Sequence, residues 1–191
     1  MSMMGELTFF LSIQIKQDKD GTFVHQTKYT KDLLKKFDMV DAKLITTLMM
    51  MTTALDPDEE GEEVDQQEYR SMIGSLFYLT ATRPPIHFVV CLSAWFQASP
   101  RTSHCQAIKR ILRYLKYTTE FELWYSASSS LEFVGYADAN YAGCKSDRKS
   151  NSGLCCFLGS SLVCWSSRKQ TSVANSTTEA KYVAAAPRSY G

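Results

Sequence analysis

Two short stretches of this 191-residue chain hold residue types that can do chemistry. In Gly135-Tyr-Ala-Asp-Ala-Asn-Tyr-Ala-Gly143, Asp138 stands at the end of an alternating run, Glu132-Phe-Val-Gly-Tyr-Ala137. In Ser176-Thr-Thr-Glu-Ala-Lys-Tyr-Val-Ala184, a carboxylate, Glu179, opens a helical pattern, and Lys181 follows two residues later. Taken alone, Asp138 reads as a turn residue that closes a strand. A third group, Lys109, Arg110, Arg113 and Lys116, lies on an amphipathic helix. Such a basic face either contacts nucleic-acid phosphates or is simply solvated. His104, Asp138 and a serine can be drawn as a triad, yet nothing resembles a nucleophile elbow. The six cysteines show no Cys-x-x-Cys pair and no His-x-x-x-His follows, which argues against zinc. They read as reduced, partly buried thiols, and His25, His87 and His104 read as surface residues.

The elements that would position these groups follow from periodicity. Leu11, Ile13 and Ile15 alternate with polar neighbours, Asp18-Lys-Asp-Gly21 follows, and Thr22-Phe-Val-His-Gln26 comes next. That pattern predicts a β-hairpin with an Asp-Gly turn. Thr30 reads as the cap of a helix over 31–37, with Leu33, Leu34 and Phe37 on one face. Residues 38–55 have no clear period. The run 56–65 is acidic, with Pro57 and Gly61 as breakers, and reads as a solvated linker. Three helices are expected next. One spans 69–80 with Ile73, Leu76, Phe77 and Thr80 as its stripe. The second spans 86–97 behind Pro85. The third runs from a Ser103 cap to Lys116, with Ile108, Ile111, Leu112 and Leu115 facing inward. The remainder is strand-like up to Thr178, where a short helix begins that Pro187 ends.

Composition narrows the classes. Hydrophobic residues make up 45% and charged residues 21%, the balance of a globular chain. A net charge of +1 supplies no global field for nucleic acid, so any such binding must be local. Met1 to Ile15 lacks a basic n-region, and Glu6, Ser12 and Gln14 interrupt its apolar run, which argues against a signal peptide. No run has the length of a membrane span. A cytoplasmic or nuclear location is therefore expected, in which the Asn175-Ser-Thr177 sequon has no role.

Longer stretches carry a resemblance. Tyr69-Arg-Ser-Met-Ile-Gly-Ser-Leu-Phe-Tyr-Leu-Thr-Ala-Thr-Arg-Pro84, Ala107-Ile-Lys-Arg-Ile-Leu-Arg-Tyr-Leu-Lys116 and Val163-Cys-Trp-Ser-Ser-Arg-Lys-Gln170 occur in this order. With the two stretches around Asp138 and Glu179, they resemble one contiguous piece of the copia-type LTR retrotransposon polyprotein. The resembled piece begins just after the polymerase active site and ends inside ribonuclease H. It implies an α+β chain with four parts. Residues 1–55 would be a reverse transcriptase β-hairpin and thumb-like remnant with a helix, and 56–65 an acidic linker. Residues 66–125 would be a helical connection. Residues 131–191 would be a truncated ribonuclease H-like sheet of three antiparallel strands with a short helix. The Tyr-x-Asp-Asp turn of the family's polymerase is not in this sequence, so polymerisation is not expected.

The same resemblance implies metal-assisted hydrolysis of RNA in RNA–DNA hybrids, with two Mg²⁺ ions held by carboxylates from several elements. It assigns Asp138 as the first-strand ligand. For the helix ligand two registers are open. The family commonly reads Thr-x-Glu-Ala-Glu-Tyr. One register puts the ligand at Lys181, where an ammonium replaces a carboxylate. The other uses Glu179, about 200° away around a helix. The later carboxylates would lie beyond Gly191. Productive Mg²⁺ binding and hybrid cleavage are thus not expected, and an incomplete sheet would leave apolar surface exposed.

Compared with the family's usual residues, Ser12 replaces Gly, Asn140 replaces Asp, Lys181 replaces Glu, and Leu44 and Leu48 stand where proline is usual. Each change can arise by a single C-to-T or G-to-A transition. Deamination of methylated cytosine in a silenced element would produce this bias, and ordinary drift is the alternative. Two functional readings result: an inactive polyprotein fragment, or a co-opted non-catalytic nucleic-acid-binding or host-interaction protein.

Overall fold

The computed structural model describes residues 8–48, 55–127, 130–144 and 147–186. The chain is α+β. A short β1 (Phe9–Phe10) and the strands β2 (Ile13–Asp18) and β3 (Gly21–His25) lead into helix α1 (Thr27–Lys36). Helices α2 (Gln66–Leu79), α3 (His87–Ala94) and α4 (Thr102–Tyr117) follow, then β4 (Leu123–Ser126). Strands β5 (Phe133–Asn140), β6 (Asn151–Leu158) and β7 (Ser161–Lys169) and helix α5 (Thr177–Ala185) complete it. Two antiparallel sheets result, ordered β1-β2-β3-β4 and β5-β6-β7.

The hairpin forms as the alternation predicts, with Asp18 opposite Gly21, so its turn is Lys19-Asp20 rather than Asp20-Gly21. Gly21 opens β3 because β4 leaves no room for a side chain there. A Cβ on it would lie 2.7 Å from the Trp124 ring, which also packs on Phe23 at 4.3 Å. A second tight turn, unforeseen in the sequence, joins β1 to β2 through Leu11 and Ser12. Both are left-handed, at φ 45° and 60°. This is a conformation that glycine or asparagine adopts most easily.

Helix α1 starts three residues earlier than Thr30. Gln26 is its N-cap, and the buried Thr30 hydroxyl donates back to Gln26 O at 2.9 Å, one turn away. The helix ends in a Schellman arrangement: Met39 N donates to Leu34 O and Asp38 N to Lys35 O, with Asp38 at φ 53°. Helix α2 is capped by Asp65, whose carboxylate accepts from Glu68 N at 2.7 Å. Its buried face is Tyr69, Met72, Ile73, Leu76 and Leu79, whereas Phe77 lies exposed. Pro84 and Pro85 start a 3₁₀ turn that passes into α3 at His87. The N-cap of α4 is Arg101, not Ser103. Ser103 Oγ instead donates to Asp58 at 2.5 Å.

That contact belongs to a larger correction. The acidic run 56–65 keeps its side chains largely in water but is pinned to the start of α4. Thr102 N donates to Glu62 O at 3.0 Å, and Arg101 pairs with Glu63 at 3.0 Å. The His104 ring donates from Nε2 to Asp56 O at 2.7 Å, while its Nδ1 accepts from Arg101 N at 2.9 Å. Those two partners fix the neutral tautomer. His104 is fully buried, stacked on Phe96 at 4.0 Å, and is not the surface residue its polarity suggests.

The hydrophobic core is built by α1 to α4. Leu33, Leu76, Ile86, Val90, Ile108 and Leu112 are among its buried members. The sheet β5–β7 adds little to it: Cys156 is its buried apolar residue, while Phe133, Tyr136 and Leu154 are exposed. It is fastened by polar contacts. Trp165 Nε1 donates to Thr80 O at 3.0 Å, and Ser126 N to Ser161 Oγ at 3.2 Å. Gln170 Nε2 donates to Ser152 Oγ and to Ala180 O, at 3.0 and 2.8 Å, and so holds α5 to β6. Pro187, expected to end α5, lies outside the described residues; the helix itself stops at Ala185.

Candidate functional site

Asp138 sits on β5 opposite Gly153 of β6, two residues before the strand ends at Asn140, so it does not close the strand as the sequence suggests. β5 is an edge strand of its sheet, and the Asp138 side chain is 82% exposed. Helix α5 approaches this edge. Lys181 Nζ stands 3.9 Å from Asp138 Oδ1, with its side chain 65% exposed.

Glu179 is engaged elsewhere. Ser176 caps α5 and accepts from Glu179 N at 3.1 Å, and the Glu179 carboxylate accepts from Asn175 N at 2.7 Å. A glutamate three residues past a serine cap that reaches back to the chain before the helix is close to a capping box. An acid there also complements the positive end of the helix. Two positions on, the 100° step per residue turns Lys181 onto another face, the one that meets Asp138. Of the two registers open in the sequence, Lys181 is the residue facing Asp138.

The surroundings do not fit Mg²⁺. The ion takes near-octahedral oxygen donors and is usually held by carboxylates with waters. Asp138 contributes one carboxylate, and the charge beside it is a cation. Among the described residues, no three His, Cys, Asp or Glu side chains converge as a ligand set. Asn140, opposite Asn151, adds a neutral amide. Asp138 opens onto a groove of about 670 Å³ between the sheet and the start of α3, lined also by Tyr136, His87, Phe88 and Trp165. Burial pushes the His87 imidazole down, favouring its neutral form there.

The basic group on α4 does not act as one row. Arg110 Nη2 donates to Thr47 Oγ1 at 2.7 Å, and Lys116 Nζ to Ala42 O at 2.8 Å. These two side chains clamp the segment after α1 onto α4. Arg113 is half-buried beside Ile111 and Leu48 in an apolar groove of about 310 Å³. Lys109 is exposed and close enough to Cys105 to favour its thiolate, against the burial that pushes that thiol up. The triad drawn from His104 does not form, since both ring nitrogens are committed to Arg101 and Asp56.

Sequence reasoning missed the polar residues that hold the framework. Arg83 is buried and reaches just past the end of α4: Nη1 donates to Thr118 O at 2.5 Å and Nη2 to Thr119 O at 2.6 Å. Next to it, Thr82 Oγ1 donates to Gln26 Oε1 at 2.9 Å, linking the hairpin to the turn after α2. Tyr69 OH donates to Ser93 O at 2.8 Å. Burial pushes the Tyr69 phenol well above its ordinary range, so it stays a donor. The available signal was the motif Tyr69 to Pro84 itself, of which Tyr69, Thr80, Thr82 and Arg83 are buried.

Comparison with known proteins places the chain. An uncharacterized mitochondrial protein of Arabidopsis thaliana is 35% identical over 192 aligned residues, covering 97% of this chain and 77% of that protein. The retrovirus-related Pol polyprotein from transposon RE1 of the same plant is 39% identical over 177 residues, or 93% of this chain. The corresponding polyprotein from transposon TNT 1-94 of Nicotiana tabacum is 33% identical over 194 residues, or 97% of this chain. The chain spans only 12% and 14% of those two polyproteins. No family model matches it, and no solved structure matches it.

Proposed function

We propose that this chain, which belongs to the Pol polyproteins of copia-type retrotransposons, derives from their reverse transcriptase and ribonuclease H region. In that reading the ancestral work was reverse transcription and hydrolysis of RNA in RNA–DNA hybrids. The site around Asp138 is now electrostatically closed to the metal ions such hydrolysis uses.

One observation carries the second half of this reading: Lys181 Nζ lies 3.9 Å from Asp138 Oδ1, while Glu179 is turned back to the start of α5. Two-metal hydrolysis needs a cluster of anions that positions both the attacking and the leaving oxygen. An ammonium beside the one candidate ligand repels a divalent cation and competes for the carboxylate. Lys109 and Arg113 could still meet a nucleic-acid backbone, while Arg110 and Lys116 are spent on the chain's own segment 42–47.

The test is a labelled RNA–DNA hybrid incubated with purified full chain and Mg²⁺ or Mn²⁺, beside Asp138→Asn and Lys181→Glu. No cleavage by the parent or by Asp138→Asn is expected. Metal-dependent cleavage by the parent that Asp138→Asn abolishes refutes the closed-site reading. Cleavage that survives Asp138→Asn marks a contaminating nuclease.

A further inference from the structure

Strands β6 and β7 bring two cysteines face to face. Cys156 and Cys164 are direct partners in the antiparallel register, and Gly135 of β5 is the partner of Cys156 on its other side. Opposed residues in an antiparallel pair have Cα atoms about 4.5–5.5 Å apart. A disulfide spans about 4.4–6.8 Å, so the register alone satisfies its backbone requirement.

Their surroundings differ. Cys164 is exposed and Cys156 is buried. Gly135 lies beside Cys156: a Cβ built on it would stand in ordinary van der Waals contact with Cys156 Sγ, at 3.8 Å. A register shift between Cys156 and Phe157 places Val163 as an extra residue beside the pair. Such a bulge sharpens local twist and loosens the ladder where the sulfurs would have to turn. Cys155 is the neighbour in sequence but pairs with Trp165, and successive residues of a strand point to opposite faces.

We propose that Cys156 and Cys164 are a cross-strand dithiol that closes reversibly to a disulfide by exchange with small-molecule disulfides. Cys164 reacts first, because it is reachable. Its thiolate attacks one sulfur of glutathione disulfide, a new S–S bond forms to Cys164, and one glutathione thiolate leaves. Cys156 then loses its proton to water and attacks the Cys164 sulfur. The second glutathione thiolate departs, and the protein is oxidised by two electrons while one glutathione disulfide is reduced to two thiols. Burial first, and then the neighbouring Cys164, push the Cys156 thiol up. That suits the resolving rather than the initiating role.

The experiment uses the full chain with excess glutathione disulfide at mildly alkaline pH, remaining thiols capped with iodoacetamide, and chymotryptic cleavage after Phe157 and Leu162. The expected product carries two fewer carbamidomethyl groups than the protein that is fully reduced and then capped. It yields a disulfide-linked peptide pair, one member holding Cys156 and the other Cys164, and dithiothreitol reverses it. Cys155→Ser retains the pair. Cys156→Ser loses it and leaves glutathione on Cys164. A parent protein that stops at the glutathione adduct of Cys164 overturns the proposal. So does linkage through Cys155, or a Cys155→Ser variant that no longer closes.

Discussion

Replacing Arg83 by lysine tests how much of the framework depends on one buried fork. Arg83 is 3% exposed, and its guanidinium gives one hydrogen bond each to Thr118 O and Thr119 O, just past the end of α4. Charge-assisted bonds of this kind contribute about 1.5–3 kcal/mol each. Against them stands Arg83 Nε, buried with no acceptor among the described residues. Leaving such a donor unmade costs about 1–3 kcal/mol. Burial also disfavours the cation, an effect partly offset by Tyr114, Glu120 and Glu122. The remaining balance favours arginine by about 2–3 kcal/mol.

A lysine ammonium is a point charge without the fork and can serve one of the two carbonyls. The other is left dry at a helix end whose carbonyls have no internal partner. Arg83→Lys is therefore expected to cost about 2 kcal/mol, and Arg83→Met, which orphans both carbonyls, about 3 kcal/mol. The assay is urea unfolding followed by far-UV circular dichroism. With a slope of about 2 kcal/mol/M, the midpoint should fall by about 1 M for the lysine variant at unchanged slope. A midpoint within about 0.2 M of the parent refutes the reasoning. A methionine variant as stable as the parent would show that the cost of burying the cation cancels both bonds.

Ser12→Gly is expected to raise stability by about 1 kcal/mol, because Ser12 sits at φ 60° where a side chain is strained. A thermal midpoint a few degrees higher checks it, and a lower one counts against the turn geometry. Asp147 pairs with Lys169 at 2.8 Å, and hydrogen bonds from Lys169 and Cys144 hold its carboxyl down at about 2 against an ordinary 3.8. A depressed carboxylate adds stability that is complete above its unfolded value and lost on acidification. The loop tie should therefore weaken as pH falls from about 4 toward about 2, and Asp147→Asn should flatten that part of an NMR-followed acid titration.

Much of this architecture was legible because apolar spacing encodes it. Ile108, Ile111, Leu112 and Leu115 fall on one helical stripe and are all buried. The runs around Cys155 and Val163 flank a Gly-Ser turn and pair as expected. What escaped was set by distant partners. Nothing local says that Leu123 to Ser126 will pair with Gly21 to Val24. Nor does the sequence show that His104 is sealed by Asp56 and Phe96, since polarity alone sends a histidine to the surface. Helix starts were misread at Thr30 and Ser103 because good capping residues stood four and two residues too late. At the candidate site, the residue types around Asp138 were visible. The facing of Lys181 was not, because Glu179 and Lys181 are two residues apart and only the cap at Ser176 fixes which one turns inward.

The pairing of β3 with β4 has a consequence during synthesis. Val24 and Leu123 are partners about 100 residues apart. At about 5–20 residues per second, a ribosome needs roughly 5–20 s between making one and making the other. In the later part of that interval the β2–β3 ribbon has left the tunnel while the strand that completes it is still untranslated. Helices α1 to α4 are all synthesised before β4, and their local contacts can collapse first. The nascent chain therefore passes through a state in which a helical cluster carries an open ribbon edge. That stage, rather than the finished fold, is where a holdase would have most to grip.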